Sequence, residues 1–129
     1  MQNELKFIGQ ILSSLKKIED CPRQEREQAP EANLEVFEPY LRAMQELEPG
    51  MEVIVLTWLH QANRNALVTK PRNDPKAPDT GIFATRSPDR PNPIGLHVVK
   101  IKSIQGNLIR LDALEVLDGT PVIDIKPVW

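Results

Sequence analysis

Hydrophobic and polar residues alternate over short stretches through most of this chain, and a helical period occurs in one place only. "GLHVVKIKSI" (95–104) sets Val99, Ile101 and Ile104 away from Lys100 and Lys102. "LIRLDALEV" (108–116) sets Ile109, Leu111 and Ala113 against Arg110 and Asp112. Gly106-Asn107 between them is a two-residue hairpin signal, so two antiparallel strands are predicted. "MEVIVLTWL" (51–59) is a dense β-branched run and predicts a buried strand. "LKFIGQIL" (5–12), "NLEVF" (33–37), "NALVTK" (65–70) and "GIFAT" (81–85) predict further short strands, with Gly9 a bulge or close-approach point. Asp118-Gly119 reads as a hairpin turn into the last one, "PVIDIKPV" (121–128). The exception is "PYLRAMQELEPG" (39–50), where Leu41, Met44 and Leu47 fall at helical spacing between an opening proline and a closing Pro49-Gly50. Seven or so short strands with one helix predict a mostly β fold: a small antiparallel β-barrel with one short helix and long proline-rich loops.

The length of 129 residues suits a single domain over 1–129 with an ordinary core. No apolar run approaches the ~18 residues of a membrane helix. Glu4 and Lys6 interrupt the apolar stretch near the N-terminus, unlike a signal peptide. A single cysteine, Cys21, excludes an internal disulfide and suits a reducing cytosol, so a cytoplasmic location is expected. With His60, His97 and Cys21 as the only soft ligands, no metal site is expected.

A net charge of −2 argues against a strong nucleic-acid binder, but the charges are unevenly spread. Residues 1–50 carry ten acids and six bases. Residues 64–93 carry Arg64, Lys70, Arg72, Lys76, Arg86 and Arg90 against Asp74, Asp79 and Asp89, together with half of the twelve prolines. Such a stiff, basic segment suits an anion-facing surface, although an ordinary solvated loop has the same composition. Its densest part is "TRSPDRPNPIG" (85–95), too rich in ring-locked φ angles for a helix and too poor in N–H donors for a central strand.

Four other stretches carry candidate chemistry, each with a plain structural reading beside it. "CPRQ" (21–24) is turn-prone and offers a guanidinium and an amide. "WLHQAN" (58–63) ends an apolar strand in His60 and Gln61, where a pocket mouth or a structural histidine both fit. "LDGTP" (117–121) reads as a turn whose carboxylate and hydroxyl suit ribose or amine donors. Cys21 and His60 are the residue types of a nucleophile pair, but no spacing brings them together. The six glycines never form GxGxxG, so neither a dinucleotide fold nor a P-loop is available.

In order, "CPRQ", "WLHQ", "GIFATRSPDRPNPIGLHVV" and "LEVLDGTPVIDIKP" resemble the TrmO family of tRNA methyltransferases over about residues 6–127. The resemblance implies a small β-barrel that uses S-adenosylmethionine, unrelated to the Rossmann methyltransferases, and a homodimer. It implies methylation of N6 of threonylcarbamoyladenosine beside the tRNA anticodon. It also implies cofactor contacts at Pro22, Arg23 and Gln24, at His60 and Gln61, at Arg86, and at Asp118, Gly119, Thr120 and Pro121. Arg90 and Asn92 then face the cofactor or the RNA, and Asp118 and His60 are candidate bases for the departing proton. The chain ends soon after "DIKP", so it is expected to lack the C-terminal region with which longer members engage tRNA. A same-fold methyltransferase acting on a small molecule or another RNA, and a non-catalytic cofactor- or RNA-binding barrel, stay open beside that reading.

Overall fold

Residues 3–16, 29–70 and 74–129 are described by the computed structural model; Cys21, Pro22, Arg23, Gln24 and Arg72 lie outside them. The alternating stretches form β1 (Gly9–Leu12), β2 (Ala32–Val36), β3 (Glu52–Trp58), β4 (Val68–Thr69), β5 (Thr80–Gly81), β6 (Ile94–Gln105), β7 (Leu108–Leu111) and β8 (Pro121–Pro127). Every pairing among them is antiparallel. Six strands hydrogen-bond in the closed order β1-β2-β7-β6-β3-β8, a barrel, while β4 and β5 form a separate two-stranded ribbon.

Strand parity decides what the barrel encloses. Ile11, Leu34, Val36, Val53, Val55, Val99, Ile101, Ile109, Leu111 and Val122 all point inward and are buried. Each such aliphatic side chain contributes roughly 1.5–3 kcal/mol relative to exposure. On β6 the inward set is odd-numbered up to Ile101, and a register shift between Ile101 and Ser103 then passes the inward role to Ile104, opposite Ile109. The β6–β7 connection is the two-residue turn predicted at Gly106-Asn107, with Gly106 at φ 62.

The ring closes where β1 meets β8. Only Gly9↔Val122 and Gln10↔Pro121 pair there as strand. Flanking backbone bonds extend the seam: the N–H of Ile8 to Val122 (2.9 Å), of Ile11 to Thr120 (2.9 Å) and of Gly119 to Ile11 (2.7 Å). Gly9 itself has no room for a side chain, because an added Cβ would strike the Glu35 carbonyl oxygen of β2. The close approach anticipated at Gly9 is therefore present. Asp118 clamps the same seam: its Oδ1 accepts from the Ser13 backbone N–H (2.9 Å) and its Oδ2 meets Lys16 Nζ (2.9 Å). These contacts, the Ser13 N–H first and Lys16 second, hold the Asp118 carboxyl below the usual aspartate range.

Several sequence expectations shift. The first strand begins only at Gly9, leaving Leu5 and Phe7 exposed ahead of it. The helix over 39–50 is instead a 3-10 helix, Glu38–Met44, which ends because Gln45 turns extended (ψ 136) and Glu46 takes φ 77. The stretch 65–70 contributes only the two residues of β4. "GIFAT" is not a strand: after Gly81 the chain coils as a 3-10 turn at Ile82–Ala84, with Thr85 Oγ1 donating to the Ile82 carbonyl (2.9 Å). The Asp118-Gly119 turn does not join neighbouring strands, since β8 pairs with β1 and β3 and not with β7.

Two expectations follow for the seam. Gly9→Ala lowers stability by about 1–3 kcal/mol, because the obstructing atom is backbone and cannot step aside; denaturant unfolding measures it. Asp118→Ala lowers stability by about 1 kcal/mol at neutral pH through loss of the charge-assisted bond. A carboxyl whose folded pKa is depressed stabilises above its unfolded value and loses that contribution as pH falls through the folded one. The gap between variant and parent therefore closes as the pH drops below about 4, as melting curves across pH report.

Candidate functional site

Antiparallel pairing places the ends of four strands at one rim. Thr57 of β3 lies opposite Gly95 of β6 on one side and Val122 of β8 on the other. The C-terminal end of β3 therefore stands beside the N-terminal ends of both neighbours. The C-terminal end of β1 shares that rim, since Gln10 pairs with Pro121. "WLHQAN", "TRSPDRPNPIG" and "LDGTP", far apart in sequence, thus emerge together. The chain also leaves β1 there, ahead of the stretch that holds Pro22, Arg23 and Gln24, which lie outside the described residues.

The loop between β5 and β6 is braced from inside and from the side. Arg90 Nη1 donates to the carbonyls of Thr85 (3.0 Å) and Ser87 (3.0 Å), and its Nη2 donates to that of Ile82 (3.3 Å). Arg64 Nε donates to the Pro91 carbonyl (2.8 Å), its Nη2 reaches Asn92 Oδ1 (3.4 Å), and its guanidinium lies 5.1 Å from the centre of the Trp58 ring. The Asn63 backbone N–H donates to Asp89 Oδ1 (2.8 Å), and that of Leu59 donates to the Pro93 carbonyl (2.8 Å). The segment after β3 and the proline-rich loop are therefore one braced unit.

This geometry separates the two loop arginines. Arg90 is half-buried and spends its donors on backbone carbonyls, so it shapes the loop from within. Arg86 is exposed and, among the described residues, gives one hydrogen bond, Nη2 to the Leu96 carbonyl (3.2 Å), with most of its fork unused there. Asn92 is exposed and already holds Arg64.

The third stretch is divided too. Gly119 sits at φ 83 with open space where a Cβ would go, so a ligand can approach its backbone closely. Thr120 is buried and its hydroxyl donates to the Leu117 carbonyl (2.7 Å), so it works inside the turn. Pro121 begins β8 and is half-buried. His60 and Gln61 are exposed in the turn closed by the Ala62 N–H to the Leu59 carbonyl (3.0 Å). The contacts that hold the Asp118 carboxyl below the usual aspartate range make it a weak proton acceptor.

Beneath the rim lies a polar chain that the sequence reading did not single out. His97 is buried; its Nδ1 is 2.7 Å from Glu115 Oε1 and its Nε2 is 2.8 Å from Thr57 Oγ1, with Thr57 fully buried. A Cβ on Gly95 would stand 2.5 Å from Thr57 Oγ1 and 2.7 Å from His97 Nε2, so glycine there is what lets the two meet. Parity holds the missed signal: Thr57 follows Val53 and Val55, and His97 precedes Val99 and Ile101, on the inward face of their strands. A shallow concavity of about 570 Å³ lies instead at the opposite rim among Leu41, Met44, Leu47, Ile104, Gly106 and Asn107. Among the described residues, no titratable side chain lines it.

Known proteins resemble this chain in sequence and in fold. An S-adenosyl-L-methionine-binding protein of Archaeoglobus fulgidus is 40% identical over 122 residues, covering 95% of this chain and 86% of its own. A longer protein of the same organism is also 40% identical over 124 residues, and there this chain spans 33% of the relative's length. The crystal structure of TrmO from Pseudomonas aeruginosa superposes with a TM-score of 0.77 at 34% identity, covering all of this chain and 57% of that one. The model of the tRNA-methyltransferase O N-terminal domain matches residues 10–129, from within β1 through β8 and past the convergent rim, and on that match the chain belongs to the TrmO family.

Proposed function

We propose that the chain binds S-adenosylmethionine at the convergent rim and methylates N6 of an adenosine derivative in RNA, threonylcarbamoyladenosine beside the tRNA anticodon being the favoured substrate. The observation that carries this reading is the convergence of "WLHQAN", "TRSPDRPNPIG" and "LDGTP" on one rim of a closed barrel. The donor set suits the cofactor. The open fork of Arg86 fits its carboxylate, and the Asp118 carboxylate fits ribose hydroxyls or the ammonium. The bare backbone of Gly119 admits close approach.

When bound, the cofactor supplies a methyl group already activated on a sulfonium. The protein's part is then positioning, for which a braced loop is well suited because little order must be created on binding. His60, exposed at the rim, takes the proton lost from the acceptor nitrogen. An anticodon-loop base is accessible without opening a helix, so a shallow rim suffices. Among the described residues, no helix is long and apolar enough to cross a membrane. A cytoplasmic site of action suits both the substrate and the single cysteine.

The same reading includes a homodimer. Ile54, Leu56 and Trp58 on the outer face of β3 lie opposite Val98, Leu96 and Ile94 on β6. The three β6 residues are 39–43% exposed, so an apolar sheet face adjoins the rim on the outside of the barrel. A second copy covering this face would place two rims close together.

Calorimetry tests the cofactor assignment: the parent chain binds S-adenosylmethionine, and Arg86→Ala binds it at least tenfold more weakly, about 1.4 kcal/mol. Unchanged affinity in that variant would overturn the assignment. Nucleoside mass spectrometry tests the substrate, since tRNA from cells lacking the protein should lose one methyl from the modified adenosine. Analytical ultracentrifugation tests the dimer, with Leu96→Lys expected to give monomers.

A further inference from the structure

We propose that Thr57, His97 and Glu115 form a buried positioning relay that sets the three site-bearing segments in register with one another. This inference rests on the cofactor-binding reading of the rim. Each member anchors a different segment. Thr57 lies on β3 three residues before His60. His97 follows the proline-rich loop, and the Leu96 carbonyl just before it carries Arg86. Glu115 stands three residues before Asp118. One side-chain chain, Glu115–His97–Thr57, joins them at 2.7 and 2.8 Å.

The hydrogen-bond inventory admits an ordered chain. The tautomer with its proton on Nδ1 donates to the Glu115 carboxylate and accepts at Nε2 from the Thr57 hydroxyl, and this is the direction the relay uses. The order acid, imidazole, hydroxyl resembles a nucleophilic triad, but Thr57 is fully buried and no substrate reaches its oxygen. The relay therefore acts through the residues it holds.

Stability alone does not account for it. A buried histidine–carboxylate pair is a poor substitute for well-packed aliphatic side chains. Among the described residues, Glu115 Oε2 is buried with no hydrogen-bond partner, a further destabilising feature. Gly95, on which a side chain would break the Thr57–His97 bond, directly ends the proline-rich loop. A destabilising polar network beneath a functional rim is the pattern expected when geometry is what the network supplies.

The test uses the intact chain with Thr57→Val, Thr57→Ser and Glu115→Gln. In ligand-free amide NMR spectra, Thr57→Val should shift resonances at His60–Gln61, at Arg86 and at Asp118–Thr120 together, and leave the Gly106-Asn107 rim unmoved. Imidazole nitrogen spectra should show His97 protonated at Nδ1 in the parent and redistributed in Glu115→Gln. S-adenosylmethionine affinity should fall about threefold to tenfold in Thr57→Val and return in Thr57→Ser. Shifts confined to the immediate neighbours of residue 57, or a parent His97 protonated at Nε2 alone, would overturn the relay. If the parent fails to bind S-adenosylmethionine, the cofactor reading falls, while the amide and imidazole spectra still decide the relay.

Discussion

Everything at the convergent rim depends on the narrow seam between β1 and β8. Two strand pairs and a few flanking backbone bonds close the ring, and the Asp118 carboxylate is fastened across it to the Ser13 N–H and Lys16. Without closure, β8 would be an edge strand and β3 would lose the fixed flank that brings its C-terminal end beside Asp118 and Gly119. Gly9 shows how little slack the closure has, because β1 passes so near β2 that no side chain fits between them. The seam thus joins fold and rim: the carboxylate carried by the turn into β8 is also a clamp on the barrel.

The same economy divides labour among the arginines. Composition presented residues 64–93 as one basic patch, but the structure assigns its members different work. Arg64 lies over Trp58 and ties the loop to the end of β3, Arg90 fills the loop from inside, and Arg86 keeps most of its donors unused among the described residues. Two of the three guanidinium groups build the surface that presents the third. A count of charges cannot reveal this, because it depends on which carbonyls lie within reach.

Strands with clean alternation were legible from sequence almost to the residue, as β3 and β6 show, because parity and burial are the same fact in an antiparallel barrel. The 3-10 turn at Ile82–Ala84 was not, since its apolar letters match those of a strand and the deciding bonds come from Thr85 and Arg90. The short helix kept its place but not its type. The rim's stretches were named by order and resemblance; that they meet follows only from β3 lying between β6 and β8. His97 carried an inward-parity signal that went unread, and its partner Glu115 belongs to no strand, so no local pattern points to it.

The brace supplied by Arg90 also has a kinetic side. A guanidinium seated on three carbonyls keeps the proline-rich loop in one shape before any partner arrives. Diffusional encounter then meets a finished surface, so productive collisions are limited by orientation and long-range charge and not by a slow ordering step. Affinity at such a surface is tuned mainly by how long the guest stays. A guest can therefore come and go rapidly without the loop ever coming apart.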